Sequence, residues 1–145
     1  MNRKHVTLWF LLWSLAAIVH AGCGTASRQQ LLAAEESQVK LRSIQTRAFD
    51  TNDKDKVMRA VIATMQDLEF VLEKADETLG TVTGMKFRNN MTIRMTVTVR
   101  SRNDTQMLVR ANAQYGLKAI EDPLTYQDFF TALEKSMFLA AQQVD

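Results

Sequence analysis

Residues 91–114 read MTIRMTVTVRSRNDTQMLVRANAQ, and their alternation decides the fold. Met91, Ile93, Met95, Val97 and Val99 alternate with Thr92, Arg94, Thr96, Thr98 and Arg100. That two-residue period belongs to a strand with one dry face and one wet face. Ser101 to Asp104 is a polar turn. Thr105 to Gln114 then returns with Met107, Val109, Ala111 and Ala113 on one side and Leu108, Arg110 and Asn112 on the other. Two such strands joined by a short polar turn make an antiparallel hairpin.

Upstream, residues 41–49 (LRSIQTRAF) read as a strand that ends in Asp50-Thr51-Asn52-Asp53. A helix is predicted from about Lys54 to Leu68. Val57, Val61, Thr64, Met65 and Leu68 share one face of it, and Met58 and Ile62 widen that face. Asp53 or Thr51 supplies the cap, and Asp55 suits the first turn. Phe70 to Lys74 reads extended, Ala75 to Thr78 as a break, and Leu79 to Phe87 as a strand. Gly80 and Gly84 lack the spacing of a nucleotide loop and read as bulges or tight bends. Asn89-Asn90 is a turn.

Downstream, Tyr115-Gly116 opens a connector in which Leu117 and Ile120 are expected to pin the chain. Asp122-Pro123 opens the last helix, with Asp122 as cap and Pro123 in the first turn. Thr125 with Asp128 offers a later start that resembles a capping box. Phe129, Phe130, Leu133, Met137 and Phe138, then Ala140, Ala141 and Val144, supply its apolar side.

The order is β-α-β-β-β-α. It predicts an α+β fold: an antiparallel sheet of three to five strands with two helices packed on one face. Ile93, Met95, Val97, Val99, Met107 and Val109 would form the inner face of the sheet. They would pack on Val57, Val61, Met65 and Leu68 of one helix and on Phe129, Leu133 and Met137 of the other.

The N-terminus carries a separate message. Arg3 and Lys4 precede an apolar run, Val6 to Val19, broken only by Thr7 and Ser14. Small residues and the single cysteine follow as His20-Ala21-Gly22-Cys23. A basic start, a short apolar stretch and small residues make a secretory signal. Ala21-Gly22-Cys23 resembles a bacterial lipobox, with His20 where Leu is usual. Two other readings are cleavage after Ala21 by an ordinary signal peptidase and an uncleaved anchor. The apolar run is shorter than the roughly 20 residues a spanning helix needs. A lone cysteine in an oxidising compartment is a liability unless modified, which favours lipidation of Cys23. The expected organisation is a signal peptide at 1–22, a lipidated flexible tether at 23–40 and one domain at 41–145. Gly24 is not the Asp that resemblance to Gram-negative lipoproteins associates with inner-membrane retention. The expected location is therefore the bacterial outer membrane, facing the periplasm.

Removing residues 1–22 takes away Arg3 and Lys4, so 16 Lys and Arg balance the 16 Asp and Glu. No net charge remains to attract nucleic acid. Both histidines, His5 and His20, leave with the same segment. The commonest general base and metal ligand are then missing, and so is a free thiol. The expectation is a non-enzymatic protein with no cofactor, no metal and no catalytic residues.

Residues 44–86 carry a resemblance. IQTRAFDTND, VMRAVIATMQDLEFVLEKAD and LGTVTGMK are similar to segments of small bacterial envelope lipoproteins with a BamC-like, helix-grip α+β domain. The resemblance implies an interaction module of an envelope complex that works through protein contacts. It covers the first half of the domain and carries no catalytic pattern.

Candidate sites follow from the wet face of the hairpin. Arg94, Thr96, Thr98 and Arg100 on one strand, with Leu108, Arg110 and Asn112 on the next, form a possible interaction face. Solvated sheet is the plainer reading. Contact with peptidoglycan, lipopolysaccharide phosphates or an acidic protein is the functional one, because Arg binds anionic groups bidentately. Leu108 suits a protein contact. Gln66 to Phe70 reads as a helix end with Leu68 and Phe70 turned inward. Asp50, Asp53, Asp55, Asp76 and Glu77 lack calcium-loop spacing and suit caps and turns. The alternative function is small-ligand or glycan binding in a groove between the sheet and Phe129/Phe130.

Overall fold

The computed structural model describes residues 24–88 and 90–142. The expected signal peptide, Cys23, Asn89 and Val144 lie outside the described residues. The described chain falls into two units that part between Val39 and Lys40. In chain order the elements are α1 (Gly24–Ile44), β1 (Thr46–Phe49), α2 (Lys54–Asp67), β2 (Val71–Asp76), β3 (Thr81–Arg88), β4 (Met91–Ser101), β5 (Met107–Tyr115), β6 (Lys118–Ala119) and α3 (Pro123–Gln142).

α1 corrects one expectation: the strand predicted over 41–49 shrinks to Thr46–Phe49 because residues 41–44 end the helix. Residues 24–40, the expected tether, are helical. The segment is rich in good helix formers, and Glu36 and Lys40 stand one turn apart in the favourable order. Leu41 and Ile44 share one side of its last turn and pack against the core. Leu31, Leu32 and Val39 are exposed.

The sheet runs β1-β5-β4-β3-β2, with β6 also on β5, and every pairing is antiparallel. The fold is α+β, with six strands among the described residues where three to five are expected. The extra one is β6, formed from the connector after Tyr115. Leu117 at its tip is fully exposed and pins nothing, whereas Ile120 packs on the core.

The hairpin register places Met95 opposite Ala113, Val97 opposite Ala111 and Val99 opposite Val109. All six are buried, together with Val82 of β3. Val57, Val61 and Met65 of α2 and Phe129, Phe130 and Leu133 of α3 belong to the same core. Phe138 and Leu139 are exposed, and Met137 is the last described residue of α3 that packs on the core.

Local chemistry sets the ends of these helices. The Asp53 carboxylate accepts the Lys56 N–H at 2.8 Å and caps α2. At the other end Phe70 N–H donates to Met65 O and Glu69 N–H to Gln66 O, both at 2.9 Å, the paired bonds of a Schellman stop. Glu69 occupies the left-handed position of that stop, with φ +66°. Asp122 accepts the Leu124 N–H and the Thr125 hydroxyl, each at 3.2 Å, with Pro123 as the first residue of α3.

Thr64 lies on the buried face of α2, and its hydroxyl finds no partner among the described residues. Thr64→Val keeps the shape and removes the stranded polar atom. It is expected to raise the unfolding free energy by about 1 kcal/mol in urea titration.

β2 is an edge strand. Its register slips at Glu73, between Leu72 opposite Gly84 and Lys74 opposite Thr83. A bulge and charged side chains discourage further strand pairing at such an edge. The β2–β3 turn is tied by the Asp76 carboxylate, which accepts the Leu79 N–H at 2.9 Å. That bond, with Lys74 alongside, holds the Asp76 carboxyl below the usual carboxylate range. A lowered folded-state pKa means the contribution is present at neutral pH and is lost as pH falls through the lowered value. Carboxyl titration by NMR should therefore give Asp76 a midpoint below that of an unpaired Asp. Lys74→Ala should move it up only slightly, since the backbone bond dominates.

Candidate functional site

The open face of the sheet carries all seven residues of the expected interaction face. Thr96 stands opposite Asn112, Thr98 opposite Arg110 and Arg100 opposite Leu108. Register and alternation bring them together, but their chemistry differs. Arg94 is engaged: its Nε donates to Glu73 Oε2 at 3.1 Å. The Thr96 hydroxyl lies 3.2 Å from that of Thr83. Arg110 Nε donates to Thr46 Oγ1 at 3.2 Å, which fixes the guanidinium against β1. Neither Arg100 nor Arg110 has a carboxylate partner among the described residues. As diagonal neighbours on adjacent strands they stand about 7–8 Å apart at the backbone. Leu108 is half-buried between Ala48 and Arg100, which are its partners on either side.

The same face has an apolar corner that composition and spacing left unmarked. Val71 of β2 pairs with Met85, and Phe87 follows two residues later on the same side. Val71 is 65% and Phe87 71% exposed. The marker was present in the alternation of β3, but Gly80 and Gly84 obscured it.

The helix-covered side holds a cleft of about 310 Å³ at one end of the core. Phe70, Met95 and Phe129 form its buried floor, with Ile93 beside them. Lys86 enters it from β3. Its position is inward, in step with Val82 and Gly84. Its ammonium donates to the Leu68 carbonyl at 2.8 Å, pairs with Glu69 at 3.2 Å and stands 5.9 Å from the Phe70 ring centre. Asp122, the cap of α3, and Asp128, in its second turn, also line the cleft. Phe129 faces this cleft, while Phe130 packs edge-on to Phe129 and beneath the Arg47 guanidinium.

The acidic residues near the N-termini of α2 and β3 take structural roles. Asp50 accepts from Gln106 Nε2 at 2.6 Å, Asp53 caps α2 and Asp76 ties its turn. Among the described residues no three His, Cys, Asp or Glu side chains converge as metal ligands, and no helix is long and apolar enough to cross a membrane. No known protein family matches this chain, and neither does any curated protein sequence.

Proposed function

We propose that this chain is a lipid-anchored, non-enzymatic accessory module of a bacterial envelope complex. In this reading Cys23 carries the lipid, the anchor lies in the outer membrane facing the periplasm, and the domain is BamC-like. The open sheet face carries the proposal. Arg100 and Arg110 are held on strands without carboxylate partners among the described residues, beside Leu108, and Phe87 and Val71 add apolar area at another corner of the same face. Exposed apolar patches edged by polar residues are typical of protein contacts.

Two measurements test this. Cys23→Ser should move the protein from the membrane to the soluble fraction, and unchanged fractionation removes the anchor. A photo-crosslinking residue at Thr98 should give one discrete adduct in intact cells, while one at Gln127 on α3 should not. Equal, diffuse labelling from both positions removes the docking face.

A second reading, small-ligand binding, is supported by the cleft beside Phe129, which has an apolar floor and charged walls. Binding of a fluorescent apolar probe, lost in Phe129→Ser but kept in Arg100→Ser, would support it.

A further inference from the structure

Among the described residues the cleft is lined by one cation, Lys86 on β3, and by two carboxylates, Asp122 and Asp128 at the start of α3, and that charge set defines what it would hold. We infer that the cleft binds a zwitterionic amino acid or short peptide with an apolar body, its carboxylate on Lys86 and its ammonium on Asp128. This rests on the ligand-binding reading above.

The first observation is Lys86. It is the one cation at a described inward-facing position of β3, next to an apolar floor, and its side chain is only 21% exposed. Donation to the Leu68 carbonyl fixes the ammonium in place. Its present counter-ion, Glu69, is 81% exposed. Exposed ion pairs contribute little, so a ligand carboxylate can replace Glu69 at small cost. Glu69 also holds a left-handed backbone conformation, where Gly or Asn is the usual residue. Its carboxylate meets the one cation that lines the cleft among the described residues, so a ligand carboxylate would compete with Glu69 for Lys86.

The second observation is the start of α3. Asp122 spends its carboxylate on capping α3, whereas Asp128 has no partner among the described residues. The N-terminus of α3 carries roughly half a positive charge, less than the two full negative charges of these carboxylates. The start of α3 therefore favours an ammonium where it lines the cleft. In the same cleft, Phe70, Met95 and Phe129 offer apolar contact. A volume of about 310 Å³ lies at the small end of ligand sites and suits one or two residues.

Titration calorimetry of the full chain with phenylalanyl-leucine tests the assignment. The free dipeptide should bind at least tenfold more tightly than its N-acetyl or its C-amide derivative. Lys86→Gln should erase the preference for the free carboxylate, and Asp128→Asn the preference for the free amine, with thermal unfolding used to check that both variants are folded. Equal affinity for the free and the doubly blocked dipeptide would overturn the zwitterion assignment while leaving the cleft a ligand site. Absence of binding by both dipeptides, by free phenylalanine and by the fluorescent apolar probe would overturn the ligand-binding reading as well.

Discussion

Tyr126→Phe is expected to lower the unfolding free energy of the domain by about 3 kcal/mol, although it removes one oxygen atom from a residue with no exposed surface. The outer edge of β5 is shared between two short strands. β1 pairs with residues 107–110 and β6 with 114–115. The Tyr126 hydroxyl fills the gap between them. It donates to the Ile120 carbonyl at 2.6 Å and accepts from the Ala113 N–H at 3.3 Å and from Gln45 Nε2 at 3.0 Å. One donor and two lone pairs are therefore all used. Phenylalanine would leave a buried N–H, a carbonyl and an amide unmatched, at about 1–3 kcal/mol for each group that water cannot reach. Urea denaturation gives the size of the loss. Hydrogen exchange locates it, with Ala113 expected to lose the most protection. A loss under 1 kcal/mol would mean that water takes over the hydroxyl's bonds.

Gly80→Ala is expected to cost about 3 kcal/mol, and Gly116→Ala about 1 kcal/mol. Both glycines have positive φ, +66° and +57°. The backbone penalty for a left-handed alanine is therefore shared. Only Gly80 adds a collision: a Cβ there would lie 2.4 Å from the Val99 carbonyl oxygen and 3.0 Å from Lys54 Cε, whereas nothing lies within 4 Å at Gly116. The turn has no room to retreat. The Gly80 carbonyl accepts the Val99 N–H at 2.7 Å, and Lys54 donates to Thr78 O at 3.0 Å. The difference between the two variants in denaturant midpoint isolates the collision from the backbone term. Equal losses would show that the turn relaxes.

These two residues also mark where local reading stops. Gly80 reads as a tight bend from the sequence, and it is one. Its approach to Val99 is a consequence of register between β3 and β4, which no local pattern encodes. Gly84 is likewise a close approach: a Cβ there would meet the Val71 carbonyl at 3.0 Å and Met65 Cε at 2.9 Å. The bulge sits across from it in β2, at Glu73. Tyr126 is one turn before Phe129 and Phe130, so its burial was open to inference from helical spacing. Its three hydrogen-bond partners come from elsewhere in the fold: Gln45, Ala113 and Ile120.

The candidate sites divide in the same way. The Arg/Thr face is legible because strict alternation in β4 and β5 sorts side chains without reference to anything distant. Lys86 was not legible. Its neighbours at the two inward positions before it are Val82 and Gly84, and a glycine breaks the apolar alternation that would have placed it. The pairing of Lys86 with Glu69, and the presence of Lys86 and Asp128 along one cleft, needs β3, the end of α2 and the start of α3 together.

The amino-acid order alone determined the hairpin, the buried stripe of α2, the caps at Asp53 and Asp122 and the α+β class. Each depends on a period or a contact within a few residues of chain. The tertiary structure decided that residues 41–44 end a helix and do not start a strand, that a sixth strand forms at Lys118–Ala119, and that a cation and a carboxylate share one apolar cleft. Those outcomes turn on which surfaces become dry when distant segments pack, and burial is a property of the assembled core.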